Sequence, residues 1–375
     1  MNLAELLPVV LSVIYAVGLL GGLRRVRRTS VDKVPSQPVT VIVPVRNEAS
    51  KVAACLEGLA AQRLPLDQVQ VIVVDDRSED GTPEIVRSWQ RVLPSLELIE
   101  LQGPPRLDLA PKKEALLAGL KRARHPVIAL LDGDSVPANT WLRSTVAALT
   151  ERVVACVGPV LFLGSGFWTR VAELEFLGLQ AAGWIALAYG QALNASAANM
   201  TLRLRGSPNF SSLRNDVASG DDVFLVQHLV AHGEARALVE KRALVWTRPP
   251  SSVREFVLQR VRWASKLLNY STSGIAQLVL VYLYHVFLVL LALGVWLGHP
   301  PVWTFVSALG LKLGTDLVVA IWATEQLGVG RRVVFFPLAE LLLNTEVILA
   351  PLALLLPFKW KGRRYGPRGK MATRR

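Results

Sequence analysis

Cysteine is nearly missing from this chain, with two residues in 375, too few for the disulfide framework of a small secreted domain. Histidine is also scarce at five residues, and none stands at a metal-binding spacing from a cysteine, which argues against zinc. Charged residues make up 19% and hydrophobic ones 51%, with a mean hydropathy of +0.36. So apolar a chain is neither disordered nor an ordinary soluble domain. Neither GxxxxGK[ST] nor GxGxxG follows its first apolar strand, so a P-loop kinase and a dinucleotide oxidoreductase do not fit. What remains is a membrane protein with a water-soluble part.

The net charge of +13 is concentrated. Arg24, Arg25, Arg27 and Arg28 follow the first apolar run, and eight Lys/Arg without an acid fill residues 359–375. Basic blocks beside apolar segments mark a cytoplasmic membrane border, whereas a nucleic-acid binder spreads its charge over a face. Residues 6–23 form an uncharged run of 18, enough for an uncleaved anchor with its arginines inside. The expected domains are thus an anchor and basic border at 1–28, an α/β domain at 37–266, membrane segments at 274–358 and a basic tail at 359–375. Residues 274–298 and 302–324 should span, with Lys312 and Asp316 paired four apart. Pro337, Glu340, Asn344, Glu346 and Pro351 interrupt 333–358, which is read as an interfacial or re-entrant helix because three crossings keep the basic blocks on one face.

In the soluble part, short apolar runs at 39–45, 69–74 and 127–131 alternate with helical patterns; in one, Val52, Cys55, Leu56 and Leu59 share a face. Continuous apolar strands alternating with helices predict a mostly parallel sheet buried on both sides. Each run ends in polar residues: Pro44 to Glu48, Asp75 to Ser78, and Asp132-Gly133-Asp134. Ligands bind beyond the carboxyl ends of such strands. Two aspartates around a glycine suit a hard divalent cation, Mg²⁺ or Mn²⁺, that also grips a diphosphate. A nucleotide-diphosphate substrate follows. The segment 167–189 is open between a helix lying on the bilayer and a core helix, and Cys55 and Cys156 read as buried thiols.

The motifs Val39-Thr-Val-Ile-Val-Pro-Val-Arg-Asn-Glu48, Val73-Val-Asp-Asp-Arg-Ser-Glu-Asp-Gly-Thr82, Asp132-Gly-Asp134, Gly220-Asp-Asp222 and Gln259-Arg-Val-Arg-Trp263 occur in this order. Over residues 37–266 the chain resembles glycosyltransferase family 2, the inverting enzymes that include ceramide glucosyltransferases and cellulose, chitin and hyaluronan synthases. The resemblance implies a Rossmann-like GT-A catalytic domain flanked by transmembrane helices. It implies that Pro44, Arg46, Glu48, Asp75 and Asp76 hold the nucleotide and that Lys112 approaches its diphosphate. Asp134 would ligate the metal, with Asp132 on ribose or metal-bound water. Asp222 would be the general base, taking the proton of a sluggish hydroxyl nucleophile; Asp221 stands where the family commonly has Glu, which leaves its own role open. Gln259, Arg262 and Trp263 would sit where diphosphate and acceptor meet, with Trp263 offering a face to a sugar.

The resulting expectation is an integral membrane transferase with its catalytic domain in the cytoplasm, at the inner or plasma membrane if the source is bacterial. Its donor is a UDP-sugar before a GDP-sugar, its acceptor a lipid or glycan. Membrane lipids are further partners, nucleic acid is not, and a homo-oligomer or partner subunit is allowed. A processive polysaccharide synthase subunit, a nucleotidyltransferase and a non-catalytic nucleotide-binding scaffold stay open as alternatives.

Overall fold

The structure, a computed structural model, describes residues 3–26, 37–106, 109–204, 220–230, 232–360 and 363–367. Arg27, Arg28, the tail beyond 367 and the Asp221 side chain lie outside the described residues. Helix α1 (Leu3–Arg25) precedes β1 (Val39–Val45), α2 (Val52–Ala60), β2 (Val69–Asp75), α3 (Thr82–Trp89), β3 (Leu96–Glu100), α4 (Pro111–Arg122) and β4 (Val127–Leu130). The chain continues through β5 (Val136–Pro137), α5 (Trp141–Ala147), β6 (Val153–Val157), β7 (Val160–Phe162), α6 (Phe167–Ala188), β8 (Met200–Arg203), α7 (Asp221–Val230), β9 (Glu234–Ala237), β10 (Val245–Thr247) and α8 (Val253–Ala264). Helices α9 (Thr272–Trp296), α10 (Val302–Gln326) and α11 (Phe336–Ala353) follow, then a hairpin of β11 (Phe358–Trp360) and β12 (Arg363–Tyr365).

The main sheet has the order β3-β2-β1-β4-β8-β6-β9. Its pairs are parallel except β4 with β8 and β8 with β6. Strands β1, β2 and β4 are buried on both faces, which is why their sequences are unbroken apolar runs instead of alternations. Helix α2 places Val52, Cys55, Leu56 and Leu59 in the core on one side, and α4 covers the other with Ala115, Leu116 and Leu120. Both cysteines are buried and free, and burial pushes the Cys156 thiol up to about 12. This is a GT-A arrangement with apolar helices at both ends of the chain.

Among the described residues five helices are long and apolar enough to cross a membrane, α1, α9 and α10 among them. Lys312 and Asp316 of α10 are paired. Lys312 Nζ meets Asp316 at 3.0 Å, Asn344 of α11 at 2.6 Å, and Glu340 of α11, while the Tyr15 hydroxyl of α1 donates to Asp316 at 2.7 Å. Helix α6 also meets the length and hydropathy criteria, but it is mostly buried, so the open choice for 167–189 resolves to packing. Glu173, Glu175 and Gln180 are buried on it, and its start is bare, with Trp168 69% exposed. It bridges the α/β domain to α1, α10 and α11. A side chain on Gly22 of α1 would lie 2.5 Å from Ile185, so glycine permits that close helix approach.

Candidate active site

The site lies at the carboxyl ends of β1, β2 and β4. Two non-glycine residues there have left-handed backbones, Asn47 (φ 51°) and Arg77 (φ 58°), an uncommon state sustained only when neighbours fix it. They do so mutually. Asn47 N donates to Ser78 Oγ at 2.9 Å, and Glu79 N donates to Asn47 Oδ1 at 2.9 Å. The Arg77 guanidinium is held by Glu114 Oε1 at 3.1 Å and Asp76 Oδ1 at 2.7 Å. The loops after β1 and β2 are thus one cross-linked ledge.

A cavity of ≈ 130 Å³ rests on this ledge, lined by Pro44, Arg46, Glu48, Asp76, Lys112, Asp132 and Asp134 together with Arg262, Trp360 and Arg363. Arg46 donates to the Asp76 carbonyl at 2.7 Å, Lys51 pairs with Glu48 at 2.8 Å, and Lys112 Nζ sits 2.7 Å from Asp132 Oδ1. The turn that presents Asp132 and Asp134 requires a glycine between them, because a Cβ on Gly133 would lie 2.5 Å from Val45 Cγ1. A larger cleft of ≈ 570 Å³ shares Asp132, Asp134, Lys112 and Arg262 and adds Asp222, Gln259, Trp263 and Lys266. Its volume is in the range of small-molecule sites.

Asp222 is at the start of α7, where the helix dipole favours an anion. Its Oδ1 accepts from Val223 N at 2.7 Å and lies 3.3 Å from Lys266 Nζ. Gly220 just before it has φ +90°, a backbone suited to glycine. Asp75 is the exception among the expected residues. It is buried at the end of β2 and is not a lining residue of either cavity. Ser78 N donates to its Oδ2 at 2.9 Å, while Oδ1 has no hydrogen-bond partner among the described residues. Burial raises its carboxyl above the usual range despite the Ser78 bond, with the Asp76 charge adding to the rise.

Asp132 and Asp134 fit a hard cation of the Mg²⁺ or Mn²⁺ kind in one respect. They supply two carboxylates to a cleft with room for a diphosphate, and such ions take one or two carboxylates and complete their shell with phosphate oxygens and water. Among the described residues no group of three or more acidic, His or Cys ligands could hold a metal without that help.

Two expected features gain structural detail. The described residues of the basic block at 359–375 include the β11–β12 hairpin, which folds back onto α8 with Phe358 and Tyr365 packed on Val261. From there Arg363 reaches the cavity and grips Asp76 with both terminal nitrogens, at 2.6 and 3.2 Å, and Arg262 stacks over Trp360 at 4.8 Å. The second concerns Trp263, whose ring packs with Phe176 at 5.2 Å and under Arg260 at 4.5 Å. Trp263 thus packs against protein groups while also lining the larger cleft. The alternation Phe358, Trp360 in a run otherwise dominated by Lys, Arg and Gly was the available signal for the hairpin, since period two marks a strand. Lys266 stands one helical turn beyond Arg262, a spacing that could have flagged it.

Two family models match the chain, Glycosyl transferase family 2 over residues 40–203 and Glycosyl transferase family group 2 over residues 127–355. The chain belongs to glycosyltransferase family 2. Similar curated proteins include Glycosyltransferase AglE of Haloferax volcanii, 34% identical over 123 residues, 32% of this chain and 38% of that one. Probable glycosyltransferase YdaM of Bacillus subtilis is 24% identical over 63% of this chain and 56% of its own. The matched regions thus span between about a third and just over half of these relatives. The mannosyltransferase PcManGT of Pyrobaculum calidifontis, solved with GDP-Man and Mn²⁺, superposes with a TM-score of 0.53 at 19% identity, covering 93% of this chain and 98% of that one. That likeness concerns the fold. Family membership gives the chain the nucleotide-sugar-binding fold of glycosyltransferase family 2.

Proposed function

We propose that this glycosyltransferase is membrane-bound and inverting, moving a hexose from a nucleotide-diphosphate sugar, a UDP-sugar first, to a lipid or glycan hydroxyl. One observation carries the reading: Asp76, Asp132, Asp134, Asp222 and Arg262, far apart in sequence, line two cavities that share walls. The nucleoside lies on the Arg46–Asp76 ledge, with Asp75 buried behind it. Lys112 and Arg262 meet the diphosphate, Arg262 with a planar fork suited to phosphate oxygens. Asp134, with Asp132 beside it, would hold the divalent cation, which supplies charge neutralisation of the departing diphosphate when bound.

Asp222 accepts the proton of the acceptor hydroxyl as that oxygen attacks the anomeric carbon from the face opposite the diphosphate, and the configuration inverts. Lys266 Nζ, 3.3 Å from Asp222 Oδ1, helps hold the side chain in place. A lipid acceptor is supported by the larger cleft, in which Val160, Phe162, Phe176 and Leu258 contribute apolar wall. Membrane attachment is supported by α1, α9 and α10 with their exposed apolar faces. Both ends of α11 return to the catalytic domain, Phe335 against Phe167 at 5.5 Å and the β11–β12 hairpin on α8, which favours an interfacial helix over a further crossing. A cytoplasmic catalytic domain follows from the positive borders.

Purified protein in native lipid, screened against nucleotide sugars, tests the reading. UDP release that needs a divalent cation and Asp222, with a labelled lipid or glycan product, is the expected result. A folded protein that turns over no donor would return the scaffold alternative, and free pyrophosphate as product would identify a nucleotidyltransferase.

A further inference from the structure

Arg260 stands inside the Gln259-Arg-Val-Arg-Trp263 motif but is not a lining residue of either cavity. Its side chain is only 10% exposed and every terminal group is engaged. Nε donates to Glu346 of α11 at 2.7 Å, one terminal nitrogen donates to Gln259 Oε1 at 2.6 Å, and the other pairs with the fully buried carboxylate of Glu175 on α6. The guanidinium plane also lies over Phe256 at 4.2 Å and Trp263 at 4.5 Å. Arginine can only donate, so Gln259 must turn its carbonyl oxygen towards Arg260. Its amide nitrogen is then the end left for the cleft that Gln259 lines.

We propose that Arg260, braced by Glu175 and Glu346, is a positioning residue that fixes Gln259 as a hydrogen-bond donor and sets the seat of Trp263. This rests on the transferase reading of the cleft. Gln259 then favours a substrate atom that accepts, a diphosphate or sugar oxygen. Because Glu346 belongs to α11, the aim of Gln259 depends on how that apolar helix is seated against the catalytic domain.

A double-mutant cycle tests this, using full-length protein in lipid with UDP-sugar turnover as the readout. Arg260→Lys keeps a cation for Glu175 but cannot form the three-way fork. It should lower kcat/KM by about 10- to 100-fold, the scale of a lost charge-assisted hydrogen bond, chiefly in kcat. In a Gln259→Ala background the same substitution should cost less than about threefold, because residues acting through one another are not additive. Multiplicative losses, or an Arg260→Lys protein equal to the parent, would overturn the positioning role. If Arg260→Lys does not fold, Glu346→Gln in the same two backgrounds gives the same contrast, with the same two outcomes decisive. A parent protein that turns over no nucleotide sugar refutes the transferase reading instead, so the two failures are distinguishable.

Discussion

Replacing Asp222 by Asn separates proton acceptance from everything else that the side chain does. The amide oxygen can still accept from Val223 N and from Lys266 Nζ, now 2.7 and 3.3 Å from Asp222 Oδ1. What is lost is the negative charge. Loss of a carboxylate at a helix start costs about 0.3–1 kcal/mol, and weakening a largely buried bond to Lys266 costs about 1–3 kcal/mol. At about 2–4 °C per kcal/mol for a domain of this size, the melting point should fall by several degrees and leave the protein folded. Loss of a general base costs about 10²- to 10⁴-fold in rate. Asp222 lines the larger cleft but not the cavity around Asp76, so donor KM should change by less than about threefold while kcat collapses. UDP release followed against donor concentration, with circular dichroism as the check on folding, reads both. A folded Asp222→Asn protein that keeps more than about a tenth of the parent kcat, below the expected range, or loses donor affinity instead of rate, refutes the assignment.

Three further outcomes follow from the same geometry. Gly133→Ala should destabilise by about 1–3 kcal/mol, the usual cost of overpacking, because its Cβ would lie 2.5 Å from Val45; urea titration measures it. Arg363→Ala removes the two-pronged bond to Asp76 and leaves Asp76 paired with Arg77, so amide exchange at 358–365 should quicken by about 10-fold or more without global unfolding; unchanged exchange would mean the hairpin does not depend on that bond. Asp75→Asn addresses pH. The folded Asp75 carboxyl is raised by burial, so folding favours its protonated form, and its contribution to stability is lost as pH rises from about 4 through the raised value. The Asn variant should therefore melt higher than the parent at pH 7, with the gap closing at low pH. A gap that widens at low pH contradicts the sign.

The parallel half of the sheet was legible because β1, β2 and β4 are buried on both faces and so appear as unbroken apolar runs, each ending in its polar cluster. The motifs located the lining residues Pro44, Arg46, Glu48, Asp76, Lys112, Asp132, Asp134 and Asp222 through residue type and order. Less could be read where structure depends on distant partners. Strands β6 and β8 pair antiparallel with neighbours that local pattern does not specify, and α6 is as apolar as a membrane span although it lies mostly inside the protein. The basic block hid the hairpin because local charge reads alike beside a membrane and beside Asp76. Only the fold brings Arg363 to a residue 287 positions away. Likewise Arg260 reads as one more cation on a basic helix until Glu175 and Glu346 are seen around it.

The account stands on one cation site shared by Asp134 and a nucleotide diphosphate next to Asp222. Electron paramagnetic resonance of Mn²⁺ with the purified protein and UDP tests it most directly. The predicted spectrum is one protein-bound Mn²⁺ per chain with ³¹P hyperfine coupling, present only when UDP is added and lost in Asp134→Ala. Mn²⁺ that shows no phosphorus coupling with UDP, or coupling that persists in the folded Asp134→Ala protein, would contradict it.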